Sequence, residues 1–212
     1  MRKTIVAGMA TGLIAVPLLS APAQAEVTAN VGWVSEYYFR GLPQKTSSAS
    51  LGLDLESNGF YLGTWAADVG DGSEVDLYGG YVWEQGDLTL GVGATAYLYT
   101  GDFDDTYQEI NVYAGYGPLS AEFSIGRWDA FDDPKEDYTF FALTAEHAGF
   151  YATYGRFGRD FEGDYLEAGY GFEIAGVDVT VSWVMSSKKL LGTPKSDDTI
   201  LIGFTKTFSL MD

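Results

Sequence analysis

The sequence predicts an all-β protein: an antiparallel, up-and-down transmembrane β-barrel of about 12 strands, preceded by a cleaved N-terminal signal peptide. Three observations support this class. Apolar and polar residues alternate from Val27 onward, with the period of two that strands show. The 27 glycines recur throughout the chain, which argues against long helices. The links between strands alternate between long and short, as in bacterial outer-membrane barrels.

The N-terminus has the features of an export signal. Arg2 and Lys3 form a basic start, the segment 5–19 is almost wholly apolar, and Ala23-Gln24-Ala25 matches a cleavage site. The apolar run is shorter than the roughly 20 residues that a spanning helix needs. The sequence therefore predicts a signal peptide over 1–25 and one barrel domain over 26–212.

The composition narrows the class of function. The chain has no cysteine, so disulfides are excluded, and its formal net charge is −18, which drops by two further units when Arg2 and Lys3 are removed. So acidic a chain lacks the basic footprint that phosphates require, and we expect no nucleic acid partner. An acidic surface or lumen suits small cationic solutes instead.

The strands follow one another along the mature chain. The alternation occupies 27–39, 49–55, 60–68, 75–83, 88–96, 110–114, 119–125, two less regular segments within 138–158, then 166–172, 177–183 and 200–208. The longer links are predicted at 42–45, 69–72, 100–106, 129–137, 158–163 and 186–198, and the tight turns at 57–59, 85–86, 117–118, 147–149 and 175–176. Both chain ends then lie at the end of the barrel that carries the tight turns.

The stretch VSEYYFRG, residues 34–41, indicates which face of the strand contacts lipid. In an extended strand Glu36, Tyr38 and Arg40 share one face, whereas Tyr37 and Phe39 share the other. A charge facing hydrocarbon costs about 2–4 kcal/mol at the membrane midplane, so we expect the charged face in the lumen and the aromatic face in lipid. Glu36 and Arg40 are roughly 13 Å apart along the strand, so each is expected to find a partner on a neighbouring strand.

The same alternation assigns the other polar and aromatic positions. The predicted lumen-lining residues are Glu36, Tyr38, Arg40, Asp54, Glu74, Asp76, Glu109, Glu122, Glu167 and Asp178. The predicted lipid-facing aromatic girdle comprises Trp33, Tyr37, Phe39, Tyr81, Trp83, Trp183, Phe204 and Phe208. Acidic rings attract cations, so the first hypothesis is a narrow, passive, cation-preferring channel for small solutes or ions.

Two alternatives stay open at this stage. The lumen of a non-conducting barrel could be filled by Tyr38, Tyr78, Tyr97 and Tyr113, and the protein would then act structurally or through its external loops. A soluble secreted β-sandwich also alternates apolar and polar positions.

We expect no enzyme, metal or cofactor. The single histidine, His147, falls in a predicted tight turn, and no serine can be paired with it for a catalytic triad. The acidic clusters around Asp104 and Asp132 lack the spacing of a calcium-binding loop.

The block Asn30-Val31-Gly32-Trp33-Val34-Ser35-Glu36-Tyr37-Tyr38-Phe39-Arg40-Gly41, followed by Pro43-Gln44, resembles the opening of the TorF-type porin family, exported proteobacterial proteins. The resemblance implies an outer-membrane barrel surrounded by lipid and lipopolysaccharide. Phe208 resembles the terminal aromatic residue by which such barrels engage the barrel-assembly machinery, although Ser209 to Asp212 follow it here.

Overall fold

The computed structural model describes residues 25–211, so nearly all of the predicted signal peptide lies outside the described residues. The strands, numbered in chain order, are β1 (Glu26–Phe39), β2 (Leu42–Ser57), β3 (Phe60–Gly70), β4 (Gly72–Gln85), β5 (Leu88–Tyr99), β6 (Tyr107–Tyr116), β7 (Leu119–Trp128), β8 (Glu136–His147), β9 (Phe150–Arg159), β10 (Gly163–Ile174), β11 (Val177–Ser186) and β12 (Asp197–Met211).

These strands form one closed antiparallel barrel, as predicted. Each strand pairs with its neighbours in sequence, and β1 pairs with β12 to close the ring. The sandwich alternative is wrong, because a single closed sheet encloses the interior and no second sheet packs on it within residues 25–211. The same part of the chain contains no helix long and apolar enough to cross a membrane.

The alternation of side chains gives the barrel an apolar outside and a polar inside. Leu62 on the outer face is 64% exposed and Ile110 is 61% exposed, whereas Ser124 and Glu167 on the inner face are fully buried. A continuous exposed apolar surface of this kind marks a membrane contact or another interaction surface. The outer face therefore has the pattern of lipid-facing strands.

The links separate the two ends of the barrel, which we name the turn end and the loop end. The turn end carries the two-residue links 58–59, 86–87, 117–118, 148–149 and 175–176, together with the first residue of β1 and the last of β12. The loop end carries the links 100–106, 129–135, 160–162 and 187–196.

Two loop-end links are shorter than predicted. The first is the two-residue turn Arg40-Gly41, with residues 42–45 inside β2, and the second is Asp71 alone. Arg40 and Gly41 have φ angles of 48° and 80°, a pair of left-handed residues that closes a tight hairpin. The prediction of long loops at these two links was wrong, because the strands continue almost to the turns.

The end of the β1–β2 hairpin, residues 37–42, leaves the barrel wall and bends into the lumen; we call it the hairpin tip. The register between β1 and β2 shifts between Tyr37 and Tyr38. Beyond the shift the period-two rule no longer assigns faces, since the residues no longer lie in the wall. Tyr37 is buried and Phe39 is half-buried, so the prediction that both face lipid was wrong.

Candidate functional site: the barrel interior

The hairpin tip crosses the lumen and reaches the far wall. Arg40 donates from Nη1 and Nη2 to the two carboxylate oxygens of Glu109, at 2.9 and 2.8 Å, and from Nη2 to Glu122 at 2.7 Å. Glu109 lies on β6 and Glu122 on β7, and β7 is diametrically opposite β1 in the ring. Arg40 was expected to pair with a neighbouring strand. That expectation was wrong, because the tip carries Arg40 across the lumen.

The ion pair is buried and its carboxylates are fixed by other donors. Arg40 is 2% exposed, so its charge needs close partners. Additional hydrogen bonds reach the carboxylates from Tyr97 (2.7 Å), Asn111 (2.7 Å) and Tyr138 (2.9 Å) onto Glu109, and from Ser124 (2.8 Å) onto Glu122. The Arg40 guanidinium also stacks 4.0 Å from the ring centre of Phe140. A planar guanidinium with bidentate bonds and an aromatic partner is held in one orientation.

Three apolar clusters fill the lumen around the tip, and the tip contributes to two of them. Tyr37 packs with Ala67 and Val69 on β3. Tyr38 packs with Val184 on β11 and Leu201 on β12. The third cluster lies under Arg40 and consists of Tyr138, Phe140, Ala142, Phe157 and Tyr165. The tip therefore joins the walls on several sides and closes the loop-end half of the barrel.

Tyr37 also makes a polar contact inside the lumen. Its hydroxyl donates to Glu74 at 2.9 Å, and its ring packs against the inward-facing Trp65. Phe39 packs edge-on against Tyr97, with ring centres 5.2 Å apart. These contacts replace the lipid contacts predicted for both residues, because a charged tip can enter the lumen only if its aromatic neighbours enter with it.

Gly–Tyr pairs between neighbouring strands explain four glycines of the inner face. Each of four glycines lies opposite a tyrosine on the adjacent strand, and a Cβ atom on the glycine would overlap with the tyrosine ring. The pairs are Gly63–Tyr78, Gly126–Tyr138, Gly155–Tyr165 and Gly169–Tyr151. The rings lie across the glycines, so the lumen is narrowed by aromatic side chains that the wall itself positions.

The turn-end half of the lumen is acidic. Inner-face acids here are half-buried or exposed, in contrast to the buried acids near the tip. They are Glu26, Asp54, Glu56, Glu84, Glu146, Glu173 and Asp178. Asp54 accepts a hydrogen bond from Tyr78, which holds one acid against the wall. We call this region the acidic vestibule.

The structure places the ten predicted lumen-lining residues as follows. Buried in the interior are Tyr38, Arg40, Glu74, Asp76, Glu109, Glu122 and Glu167. Half-buried are Glu36, whose carboxylate accepts from Thr199 on β12, and Asp54 and Asp178 in the acidic vestibule. Arg40, Glu109 and Glu122 meet in one network, whereas Glu167, on β10, hydrogen-bonds with Tyr151.

The predicted girdle divides into two groups. Exposed on the outer face are Trp33, Tyr81, Trp83, Phe204 and Phe208, and Trp183 on the same face is half-exposed. Tyr37 and Phe39 are the two that the tip removes from this face.

Sequence reasoning missed the aromatic side of the network, which is formed by Tyr138, Phe140 and Tyr165. These residues are inward-facing and buried, at positions where most other strands carry small or polar residues. The signal that could have revealed them is the irregular alternation within 138–158, where large aromatics occupy both faces.

Asp104 anchors one loop at the loop end. It accepts hydrogen bonds from the Tyr107 hydroxyl at 2.9 Å and from Trp128 Nε1 at 3.0 Å. Burial raises the pKa of Asp104, and these hydrogen bonds offset part of the rise. No group of three or more His, Cys, Asp or Glu residues is placed to hold a metal ion among residues 25–211. His147 lies exposed at the turn end.

A closed twelve-stranded barrel with a polar, partly obstructed interior is the architecture of porin-like outer-membrane barrels. The chain belongs to a family described as "Bacterial protein of unknown function (Gcw_chp)", whose model matches residues 20–198. The match does not test the TorF-type resemblance. No curated protein matches the chain by sequence.

Solved structures resemble the fold at low sequence identity. One, described as "Unveiling the Mechanism Behind the in-meso Crystallization of Membrane Proteins", has a TM-score of 0.61 at 12% identity, over 87% of this chain and 84% of the other. The KdgM porin has a TM-score of 0.56 at 9% identity, over 86% and 99%. The outer membrane protein OpdK from Pseudomonas aeruginosa has a TM-score of 0.43 at 14% identity, over 84% and 61%. The first two likenesses show the barrel fold.

Proposed function

We propose that the protein is exported by residues 1–25, inserts into the outer membrane with its loop end outward, and forms a narrow, passive, cation-preferring channel for small solutes or ions. The proposed activity is transport without catalysis. On this proposal, the hairpin tip closes the channel. Conduction then requires the tip to leave the lumen. Only the end of the hairpin moves, and the strands of the wall keep their pairing.

The observation that carries the proposal is the position of Arg40. Its guanidinium holds the tip across the lumen by bonds to Glu109 and Glu122 on the opposite wall. When the tip leaves, both carboxylates become part of the lining above the acidic vestibule. An acidic lining raises the local concentration of cations and repels anions, which supports the proposed cation preference.

The packed loop-end half of the lumen also favours a second candidate, a non-conducting barrel that acts structurally or through its external loops. Phe140 and Tyr165 are almost fully buried, as in a filled core. The two candidates differ in one respect: a channel opens when the tip is released, and a filled barrel does not.

Single-channel recording in a planar bilayer under a KCl gradient tests the proposal. We expect rare openings for the native protein and frequent, cation-selective openings for Arg40→Ala. Removing one partner of a buried ion pair costs about 3–5 kcal/mol in the closed state, which shifts the ratio of open to closed channels by at least about 100-fold. The carboxylates left behind are hydrated once the tip is out, so the open state avoids this cost.

Lys135→Ala is the matched control. Lys135 forms an exposed ion pair with Asp129, at 2.6 Å, in a loop at the same end of the barrel. Like Arg40→Ala, this substitution removes one positive charge, but Lys135 does not contact the tip, so openings should stay rare. If Arg40→Ala shows no conductance steps, although heat-modifiable gel migration verifies that it is a folded barrel, the channel proposal is refuted and the non-conducting barrel remains.

A further inference from the structure

A groove of about 840 Å³ crosses the outer wall from β3 to β9. Its volume lies within the range of ligand sites, roughly 300–1,000 Å³. Most of its lining residues lie on the outer face, whereas Tyr78, Thr95, Glu109 and Gly126 occupy inward-facing positions of the same strands. Small residues make its floor, namely Gly79, Ala94 and Ala96, and larger apolar residues form its sides, namely Leu62, Leu77, Ile110 and Ile125.

The groove changes character along its length. On β3 to β5 it is lined by apolar and small residues in the middle of the wall, and on β7 to β9 it ends at Arg127, Asp137 and Arg159 near the loop end. An arginine on the lipid-facing side is costly at the midplane, and the cost falls to about 0–1 kcal/mol near the interface. The polar end therefore lies at the level of lipid headgroups, and the apolar end lies at the level of acyl chains.

The polar end is organised for a further acceptor. Nε of Arg127 donates to Asp137 at 2.7 Å, and Nη1 of Arg159 lies 3.9 Å from the other oxygen of the same carboxylate. Asp137 thus accepts a hydrogen bond from Arg127 and lies within ion-pair distance of Arg159, and its backbone N–H donates to Asp160. The side chain of Arg127 is 59% exposed, so its Nη groups are available to solvent or lipid. Paired guanidiniums are suited to bidentate recognition of phosphate.

We propose that this groove binds one phosphorylated glycolipid of the outer leaflet, with an acyl chain against Gly79, Ala94 and Ala96 and a phosphate against Arg127 and Arg159. The order of apolar and cationic groups matches such a lipid end to end. A second copy of the chain fits less well, because the apolar outer wall of another barrel offers no phosphate to Arg127 and Arg159. The inference rests on the proposed membrane location, and it does not depend on conduction.

The test is a titration of the detergent-folded barrel with defined lipids, read by native mass spectrometry. The probes are bisphosphorylated lipid A, the same lipid without phosphates, and phosphatidylethanolamine. We expect the Arg127→Ala/Arg159→Ala variant to lose about tenfold or more in affinity for bisphosphorylated lipid A, since charge-assisted bonds to phosphate are removed. Its affinity for the dephosphorylated lipid should stay unchanged.

Two matched controls make the result specific. Arg156 faces outward on β9, in register with Asp164, and does not line the groove, so Arg156→Ala should change the affinity less than about twofold. Ala94→Leu fills the floor and should weaken both forms of lipid A, whereas Ala121→Leu, on the outer face of β7 outside the groove, should weaken neither.

Equal losses for the Arg127/Arg159 and Arg156 variants would overturn the proposal, as would equal affinity for lipid A with and without phosphates. Dimers in place of lipid adducts would assign the groove to a second copy. Heat-modifiable migration checks that each variant is a folded barrel. A variant that fails this check is left out of the comparison, whereas failure of the native chain would refute the proposed membrane barrel itself, so the two failures are distinguishable.

Discussion

The ion pair between Arg40 and Glu109 predicts a large coupling energy across the lumen. Two charge-assisted hydrogen bonds, at 2.9 and 2.8 Å, join these side chains, and both are almost fully buried. Bonds to charged groups contribute about 1.5–3 kcal/mol each, and part of this is offset by the desolvation of the two ions. Glu122 remains as a second partner when Glu109 is changed, which lowers the coupling further. The expected coupling free energy is about 2 kcal/mol.

A double-mutant cycle measures this coupling. The free energy of unfolding is determined by urea titration in detergent micelles for the native chain, Arg40→Met, Glu109→Gln and the double variant, with tryptophan fluorescence as the readout. The exposed pair Lys189–Glu162, with N···O 3.0 Å, serves as the matched control, and its coupling should stay near 0.5 kcal/mol. A coupling for Arg40–Glu109 that does not exceed the control would refute the inward position of the tip.

Three further outcomes follow from the packing. Gly155→Ala should destabilise the barrel by about 1–3 kcal/mol in the same urea assay, because the new methyl group overlaps with the Tyr165 ring; a neutral result would contradict the ring's position over the glycine. The chain has no cysteine, so a single Phe39→Cys can be labelled without background. This cysteine should resist a membrane-soluble maleimide that modifies Trp33→Cys on the outer face. Equal labelling of the two cysteines would show that residue 39 faces lipid. The pKa of Asp104 is raised by burial, so its effect on folding is most favourable below its unfolded pKa and is lost as pH rises through the folded pKa. Asp104→Asn should flatten this part of the stability–pH curve, and an unchanged slope would show that another group is responsible.

The barrel wall could be predicted from the sequence because its rules are local. A strand in the wall must pair on both sides and place alternate residues in lipid, so Leu51, Leu62 and Ile110 identify the outer face without any long-range information. The positions of the turns follow for the same reason. Asn58-Gly59, for example, occupies the left-handed conformations that a two-residue hairpin turn requires.

The hairpin tip could not be predicted by the same rules. Alternation gives faces only while a strand lies in the sheet, and the shift between Tyr37 and Tyr38 takes the tip out of it. The partners of Arg40 lie 69 and 82 residues away, on the far wall. Nothing local marks Glu109 and Glu122 as these partners among the many inner-face acids. The sequence did show an unusual feature at this place, since an acid and a base enclose three consecutive aromatics with no polar residue between them.

The left-handed backbone at Arg40 belongs to the hairpin turn, whereas the ion pair fixes where the tip lies. Arg40 has a φ of 48° because it is the first residue of the two-residue turn between β1 and β2, and Ala148 and Ala175 have similar φ angles in turns at the other end of the barrel. The bonds to Glu109 and Glu122 and the contact with Phe140 hold the tip against the far wall. In the channel that we propose, weakening the ion pair therefore removes this attraction and leaves the turn itself intact.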